Sequence, residues 1–468
     1  MKYISTRGQA PVRDFAGVLL AGLAEDGGLY VPETWPHFGP ADWRAMRALS
    51  YPELVARVMQ PFVGDSLPAT TLLRLCREAY AGFGHPAIVP MVQLETHLWA
   101  QELFHGPTLA FKDMAMQLLG RLFDHVLSER GQRATIVGAT SGDTGSAAIE
   151  ACAGRERVDI VILHPDGRTS EVQRRQMTTV FAPNVANIAV AGSFDDCQDL
   201  VKAMFNDPAF RGRHRLSAVN SINWARIAAQ IVYYFRAAVA LGAPDRPVAF
   251  AVPSGNFGNV FAGYAAARMG LPIAALYVGA NRNDILARFF ESGEMAIDAV
   301  HPTISPSMDI QISSNFERLL FELTDRDGRA VAGLMAGLRQ SGVFAVDADR
   351  LARAHQLFSG FRCDDDATRA EIAGTYRATG ELLDPHSAIG VATARALGTG
   401  TGVPVVALAT AHPAKFPQAV TEAAGVTPLL PQALADLYDR EERCIHLPND
   451  LRAIEDHIDM SLKARTAA

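Results

Sequence analysis

Short apolar runs alternate with amphipathic stretches through the middle of the chain. The runs typical of buried strands lie at 134–137, 158–163, 186–190, 248–252, 273–278 and 403–409. Helical patterns lie between them, for example at 195–205 and 225–240. Strands that alternate with helices indicate βαβ units, in which helices cover both faces of a parallel sheet. We therefore predict an α/β fold with parallel sheets for this part of the chain.

The two ends of the chain have a different character. Turn signals at Asp26-Gly27-Gly28 and helical patterns over 43–59 and 70–83 indicate a separate, mostly helical region before the first sheet. After Pro431 the pattern is that of an exposed or loosely docked helix. We predict a helical N-terminal domain at 1–92, a catalytic core at 93–430 with a smaller mobile subdomain at about 132–240, and a C-terminal helical segment at 431–468.

Composition and charge exclude several classes of protein. The 468 residues are 49% hydrophobic and 20% charged, which is ordinary for a globular protein. A formal net charge of -7 gives no basic footprint for nucleic acid, and no apolar run is long enough to span a bilayer. Five dispersed cysteines without CxxC spacing argue against a disulfide framework or a zinc site and fit a reducing compartment. We expect a cytoplasmic protein with no metal, nucleic-acid or membrane partner.

Lys112 is the first candidate for a chemical centre. It stands between Phe111 and Asp113, behind the turn Gly106-Pro107. Burial disfavours the ammonium form of lysine, and a neutral amine can attack a carbonyl and hold an aldehyde cofactor as a Schiff base. A solvated surface lysine is the plainer interpretation of this motif alone.

Two glycine-bearing loops between predicted strands and helices offer sites for anions. In segment 252–259, backbone N–H groups and the start of the following helix favour a phosphate. Its spacing is neither the dinucleotide-binding nor the P-loop pattern, and a tight turn that needs glycine is the alternative. In segment 138–145, Asp143 or Thr144 can cap the next helix. The further hydroxyls of Thr140 and Ser141 exceed what capping requires and suit a carboxylate or phosphate.

Two more segments add candidate binding residues. Segment 220–226 opens a helix with Arg226, whose charge is unfavourable near a helix start and thus hints at an anion, although a surface arginine is the alternative. Thr410 follows the last predicted strand, where ligands of open α/β sheets bind. His412 and Lys415 nearby are either functional or rim charges. One lysine nucleophile with several anion loops suits pyridoxal phosphate and an amino-acid substrate.

These segments, in this order and spacing, resemble the threonine synthase family in its longer, bacterial and fungal type. The resemblance rests on segments 105–113, 138–145, 220–227, 253–259 and 410–416, with 3–8 and 26–32 near the N-terminus. It covers nearly the whole chain. It implies a fold-type II pyridoxal-phosphate enzyme, a lyase with parallel-sheet large and small domains and a helical N-terminal domain. The implied reaction is the last step of threonine biosynthesis, which converts O-phospho-L-homoserine and water to L-threonine and phosphate by γ-elimination and β-hydration.

The resemblance also implies roles for individual residues. Lys112 matches the Schiff-base lysine, and the expected cofactor-binding positions are Lys112, Phe111, Asp143, Gly255, Asn256, Phe257, Gly258, Asn259 and Thr410. The positions expected around the substrate's carboxylate and phosphate are Thr140, Ser141, Thr144, Asn220, Ser221 and Arg226. Two residues depart from the pattern. Asp143 stands where many relatives of this fold carry asparagine, and Ser387 stands where threonine is usual, so a hydroxyl is kept there.

Three alternatives stay open at this point. A phospho-lyase on the same scaffold would release phosphate and 2-oxobutyrate from the same substrate. A serine or threonine dehydratase fits less well, because of the additional anion-binding residues and the N-terminal domain. A binding protein that kept the fold and lost catalysis is disfavoured by the presence of Lys112 and the 255–259 loop. We expect a monomer or a homodimer.

Overall fold

The computed structural model describes residues 1–218 and 221–467, with side chains described as far as residue 463. The strands β1 to β15 are Tyr3–Ser5, Tyr30–Pro32, Met91–Glu95, Leu98–Glu102, Ala134–Ala139, Val158–Pro165, Val185–Ala191, Leu216–Ser217, Val248–Pro253, Ile273–Ala280, Glu294–Ala296, Val343–Ala345, Phe358–Arg362, Val405–Ala409 and Ile445–Pro448. The helices α1 to α19 are Phe15–Ala21, Pro40–Met46, Tyr51–Val63, Ala69–Tyr80, Lys112–Glu129, Asp143–Cys152, Glu171–Thr178, Phe194–Asn206, Pro208–His214, Trp224–Ala240, Gly258–Arg268, Ile285–Ser292, Phe316–Leu323, Gly328–Ser341, Ala348–His355, Asp365–Thr379, Pro385–Gly398, Pro417–Ala424 and Leu451–Ala467.

Packing divides the chain into two units. The first comprises residues 1–78, 85–105 and 221–428, and the second comprises 79–84, 106–220 and 429–468. The first unit therefore contains the 255–259 loop and Thr410, and the second contains Lys112 and the 138–145 loop. The domain boundaries expected from the sequence stay predictions.

The first unit is built on a six-stranded sheet in the order β13-β10-β9-β14-β4-β3. Neighbouring strands are parallel, except that β3 runs antiparallel to β4. Strands β9 and β14 are buried along their whole length, as inner strands of a sheet covered on both faces are. Because β9 and β14 pair in parallel, with Ala251 opposite Ala407, the segments that follow them leave the same edge of the sheet.

The N-terminal residues belong to this first unit. Strand β1 pairs antiparallel with β2, and the region is otherwise mostly helical, as predicted. Arg7 forms a largely buried ion pair of 2.9 Å with Glu317. Arg318, the next residue of α13, is fully buried and donates to the carbonyl of Tyr30 at 3.1 Å. These contacts attach the N-terminal strands firmly to α13.

The second unit contains a five-stranded sheet in the order β15-β7-β6-β5-β8, in which all pairs are parallel. With the first sheet, it confirms the predicted α/β class. Strand β6 is buried at each of its eight positions, and helix α6 begins shortly after β5 ends. The 138–145 loop consequently lies at the carboxyl end of a parallel strand, as the sequence pattern predicted.

The tail of the chain differs from the sequence prediction. Strand β15 pairs with β7, with Ile445 opposite Ile188, and Ile454 and Ile458 on α19 are fully buried in the core of the second unit. The expectation of an exposed or loosely docked tail was therefore wrong. The four residues of β15 are too few to show a period, whereas Ile454 and Ile458, four positions apart, do lie on one helix face. None of the described helices is long and apolar enough to cross a membrane.

Candidate active site

Lys112 is the first residue of α5, and a rigid turn precedes it. The Asp113 carboxylate, which is fully buried, accepts hydrogen bonds from the Thr108 backbone N–H at 2.7 Å and from its hydroxyl at 2.8 Å. Leu109 lies in the left-handed region with a φ of 60° and donates its N–H to Gly106. The Gly-Pro turn and the aspartate thus fix the backbone from which the Lys112 side chain leaves.

The Lys112 amine contacts a carboxylate within the second unit. Its Nζ lies 3.0 Å from Asp143 Oδ2, and the two side chains are only 11% and 5% exposed. The other oxygen of Asp143 accepts from the Gln173 amide at 2.8 Å. Both oxygens act as acceptors, which is the hydrogen bonding of an ionised carboxylate. Nζ also lies 5.2 Å from the ring centre of Phe111. Lys112 is therefore a largely buried, oriented amine and not a surface lysine.

The 138–145 loop satisfies part of its own backbone. Thr140 Oγ1 accepts from the N–H groups of Gly142 and Gly145 at 3.0 and 2.9 Å. Gly142, with a φ of 148°, is the N-cap of α6, and a Cβ there would lie 2.4 Å from the Gln173 side chain. Neither Asp143 nor Thr144 is the capping residue that the sequence suggested. Ser141 is exposed and Thr144 is half-buried.

The 255–259 loop joins β9 to α11 in the first unit. Phe257 is buried and left-handed with a φ of 60°, and its N–H donates to Ser254 Oγ at 3.1 Å. The residues after the 3₁₀ helix Pro306–Met308 hold the loop from outside, since Ser313 Oγ donates to the Gly255 carbonyl at 2.8 Å and the Asn315 N–H donates to the Asn256 carbonyl at 3.1 Å. The loop is therefore fixed in shape.

The donors at the end of this loop fit an anion. Helix α11 starts without a side-chain cap. Asn259, the second residue of α11, is 5% exposed, and its Oδ1 accepts from the hydroxyls of Tyr233 and Tyr234. Its Nδ2 is buried and has no hydrogen-bond partner among the described residues. A buried donor beside an uncapped helix start is what a phosphate group would satisfy.

Thr410 is held by a buried hydrogen-bond relay in the first unit. Its N–H donates to Ser387 Oγ at 2.9 Å, and the Ser387 hydroxyl donates to Asp384. Asp384 is fully buried, caps α17 by accepting from the Ser387 N–H at 2.9 Å, and lies 2.7 Å from His386 Nδ1. The hydroxyl of Ser387 thus positions the backbone of Thr410.

The remaining candidates lie in or beside helical segments of the first unit. Arg226, the third residue of α10, is 3% exposed, so it is not a surface arginine. Burial lowers its pKa to about 10, so the guanidinium is still charged at neutral pH. Ser221 is half-buried in a turn before α10, whereas Asn220 lies outside the described residues. Lys415 is fully buried. The burial of His412 and the nearby His105 lower the pKa of His412 to about 4.

Comparison with known proteins places the whole chain in one family. Models of the threonine synthase N terminus, of pyridoxal-phosphate dependent enzymes and of the threonine synthase C-terminal region match residues 2–80, 86–335 and 387–458. The threonine synthase of Pseudomonas aeruginosa is 57% identical over 456 residues, which is 97% of each chain. The chain belongs to the threonine synthase family.

Solved structures of threonine synthases agree closely with this fold. The pyridoxal-phosphate-bound enzyme from Brucella melitensis is 56% identical and superposes with a TM-score of 0.97 over 98% of this chain and 99% of its own. The yeast enzyme is 38% identical, with a TM-score of 0.95 over 99% of each chain. The predicted family, fold class and pyridoxal-phosphate dependence are confirmed, and the chain is an enzyme that acts on a small molecule.

The structure adds residues that the sequence motifs of threonine synthases did not indicate. Gln173 holds Asp143, Tyr233 and Tyr234 hold Asn259, and Asp384 holds Ser387. The two tyrosines lie in a run of apolar residues on α10, a pattern that predicts only a buried helix face. The apolar run of α10 gave no signal for the tyrosines, whereas Asp384 lies three residues before Ser387 and is the N-cap of α17.

Proposed function

We propose that this chain converts O-phospho-L-homoserine and water to L-threonine and phosphate. The observation that carries the proposal is the largely buried amine of Lys112, held by Asp143 at 3.0 Å in a chain that matches a threonine synthase over 97% of its length. A buried amine with an ionised partner is equipped to exchange protons with a bound substrate. We also propose a cytoplasmic location. We further propose a monomer or homodimer, and light scattering of the purified protein would distinguish the two by molecular mass.

The contacts of Lys112 and those of the 255–259 loop indicate which residues would hold pyridoxal phosphate. When bound, this cofactor supplies an aldehyde carbon for amines and an electron-withdrawing ring. Lys112 would hold the aldehyde carbon, with Phe111 and Asp143 beside its amine. Gly255, Asn256, Phe257, Gly258 and Asn259 would hold the phosphate, since the start of α11 offers uncapped donors. Thr410 would meet the ring nitrogen with a neutral hydroxyl.

Lys112 would move the protons of the reaction. Its Nζ would take the proton from the substrate's Cα and exchange protons at Cβ. Asp143 would keep Nζ in place through both transfers, because Gln173 fixes the other oxygen of the same carboxylate. Addition of water at Cβ would then give threonine, whereas hydrolysis of the carbon–nitrogen bond without that addition would give 2-oxobutyrate and ammonia.

The anionic groups of the substrate would be bound by hydroxyls and a guanidinium. Thr140, whose oxygen accepts from two backbone N–H groups, keeps its own O–H as a donor. Ser141, Thr144, Asn220 and Ser221 would add further donors. Arg226 would neutralise the phosphate as it leaves Cγ, since a guanidinium binds phosphate in two-point geometry.

A product assay tests the proposed reaction. Purified holoenzyme incubated with O-phosphohomoserine is expected to release phosphate and threonine in equal amounts. Release of phosphate with 2-oxobutyrate in place of threonine would support the phospho-lyase instead. A protein that takes up pyridoxal phosphate and leaves the substrate unchanged would support the non-catalytic alternative.

The Arg226→Ala variant tests the assignment of the substrate phosphate. The variant is expected to lose most of kcat/KM for O-phosphohomoserine, by about 100-fold or more, because an arginine–phosphate contact is among the strongest hydrogen bonds of a site. Its retention of pyridoxal phosphate on gel filtration should match that of the wild type. Loss of the cofactor with unchanged kcat/KM in reconstituted enzyme would assign Arg226 to the cofactor instead.

A further inference from the structure

Two adjacent tyrosines of α10, Tyr233 and Tyr234, converge on one residue of the 255–259 loop. We propose that they are positioning residues, which turn the side-chain amide of Asn259 so that its N–H₂ group donates to the phosphate of pyridoxal phosphate. The inference rests on the proposed role of the 255–259 loop as the phosphate site.

The contacts are short and fully buried. Tyr233 Oη lies 2.6 Å from Asn259 Oδ1, and Tyr234 Oη lies 3.0 Å from the same atom and 2.8 Å from the Asn259 carbonyl. Both tyrosines are 0% exposed. Together they engage both the side chain and the backbone of Asn259, so the residue has little freedom to turn.

The hydroxyls act as donors towards Asn259. Burial raises the pKa of Tyr233 and of Tyr234 well above the ordinary value, so both keep their protons at neutral pH. A side-chain amide has one acceptor oxygen and one donor nitrogen on opposite sides. With Oδ1 turned to the tyrosines, Nδ2 is turned away from them and presents two protons elsewhere.

Asn259 Nδ2 is buried and has no hydrogen-bond partner among the described residues. It belongs to the first turn of α11, which has no side-chain cap and whose backbone N–H groups also favour an anion. A phosphate oxygen would supply the acceptor that this buried amide donor lacks.

The tyrosines are themselves held in place. The carbonyl of Tyr233 accepts from the Gln101 side chain of β4 at 3.0 Å, and the Tyr234 ring packs edge-on against Phe250 of β9 at 4.8 Å between ring centres. The two tyrosine rings stack at 5.2 Å. The tyrosines thus connect the Asn259 amide to two strands of the sheet.

The test uses the apoenzyme and two ligands that differ only in the phosphate. Tyr233→Phe, Tyr234→Phe and the double variant are titrated with pyridoxal phosphate and with pyridoxal, and binding is followed by absorbance. We expect the Kd for pyridoxal phosphate to rise about tenfold in each single variant and about 100-fold in the double variant, the range for a hydrogen bond to a charged group. The Kd for pyridoxal should change less than about twofold, because it lacks the group that Asn259 binds.

The matched control is Tyr264→Phe. Tyr264 lies on the same helix α11 as Asn259, and its hydroxyl bonds to Glu322 and not to Asn259. This variant should leave both Kd values within about twofold of wild type. A Tyr264→Phe effect as large as that of Tyr234→Phe, or an equal loss of affinity for both ligands in the α10 variants, would overturn the inference.

Asn259→Ala separates this inference from the proposed function. If its affinity for pyridoxal phosphate falls while the tyrosine variants bind as wild type does, the loop assignment holds and the positioning role is wrong. If Asn259→Ala binds pyridoxal phosphate as tightly as wild type, the loop assignment itself fails.

Discussion

The two strand-to-helix loops that the sequence singled out use their hydrogen-bonding groups in opposite ways. In the 138–145 loop, Thr140 accepts from two backbone N–H groups of the loop, and Asp143 is engaged by Lys112 and Gln173. In the 255–259 loop, helix α11 starts without a side-chain cap and Asn259 keeps a buried N–H₂ group without a partner among the described residues. The 138–145 loop satisfies part of its own backbone and offers side-chain hydroxyls to a ligand, whereas the 255–259 loop keeps a buried amide donor for one.

The difference matches the lifetimes of the ligands that we assign to the loops. A substrate binds and leaves in every catalytic cycle, so a loop that receives it has to remain formed without it. A cofactor stays bound, and a site completed by that cofactor gains stability that rises with the logarithm of cofactor concentration over Kd. The contrast therefore predicts that binding of the cofactor stabilises the 255–259 loop more than the 138–145 loop.

Replacing Lys112 is expected to have the largest effect of the variants that test this comparison. Lys112→Ala is expected to abolish turnover and the absorbance of the bound cofactor, because it removes the amine that lies 3.0 Å from Asp143. The matched control is Lys202→Ala, since Lys202 lies in the same unit with its side chain 65% exposed. Turnover or cofactor absorbance that persisted in Lys112→Ala would refute the assignment.

Removing the partner of that lysine tests whether the 138–145 loop is stabilised by charge. Asp143→Ala leaves the Lys112 ammonium buried without its carboxylate, and the apoenzyme is expected to lose about 3–5 kcal/mol of unfolding free energy. Asp143→Asn, which keeps an acceptor oxygen, should lose clearly less. Urea unfolding of the apoenzyme measures both, and a loss below about 1 kcal/mol in Asp143→Ala would show that the pair contributes little.

The contrast between the loops also marks the limit of what the sequence could predict. Glycines between an apolar run and a helical pattern identified both loops, and the apolar flank of Lys112 identified the amine. All these signals are local in sequence. They extend to the fold class, since six strands of the two sheets, β5, β6, β7, β9, β10 and β14, coincide with apolar runs in the sequence.

The groups that decide how each loop works are distant in sequence. Gln173 is 30 residues from Asp143, and Tyr233 is 26 residues from Asn259. Their pairing depends on how α7 packs beside α6 and how α10 packs beside α11, which no periodicity encodes. The burial of Arg226 has the same origin, because a helix pattern gives the apolar face but not the depth of a charged residue at its end.

The pH dependence of the unfolding free energy tests the segment after β14, in which His412 follows Thr410. Burial and the neighbouring His105 lower the pKa of His412 to about 4, below its ordinary value of 6.5. The unfolded chain therefore takes up a proton at this residue first as the pH falls, so the stability that depends on neutral His412 is lost between about pH 6.5 and pH 4. His412→Asn should show a shallower fall in unfolding free energy over this range, by up to about 1.4 kcal/mol per pH unit. Parallel curves for wild type and His412→Asn in urea unfolding would contradict the buried, neutral state.

The smallest expected effect belongs to the internal bonds of the 138–145 loop. Thr140→Ala removes the oxygen that accepts from Gly142 and Gly145, and both N–H groups are buried, so the apoenzyme should lose about 1–3 kcal/mol of unfolding free energy. Thr140→Ser keeps the oxygen and should restore most of that loss, which separates the hydrogen bonds from the packing of the methyl group. The same pair of variants measured in holoenzyme should show the same difference, since this loop does not depend on the cofactor for its shape. If the cofactor instead removed the difference between Thr140→Ala and Thr140→Ser, the 138–145 loop would be completed by a ligand just as the 255–259 loop is, and the contrast between them would fail.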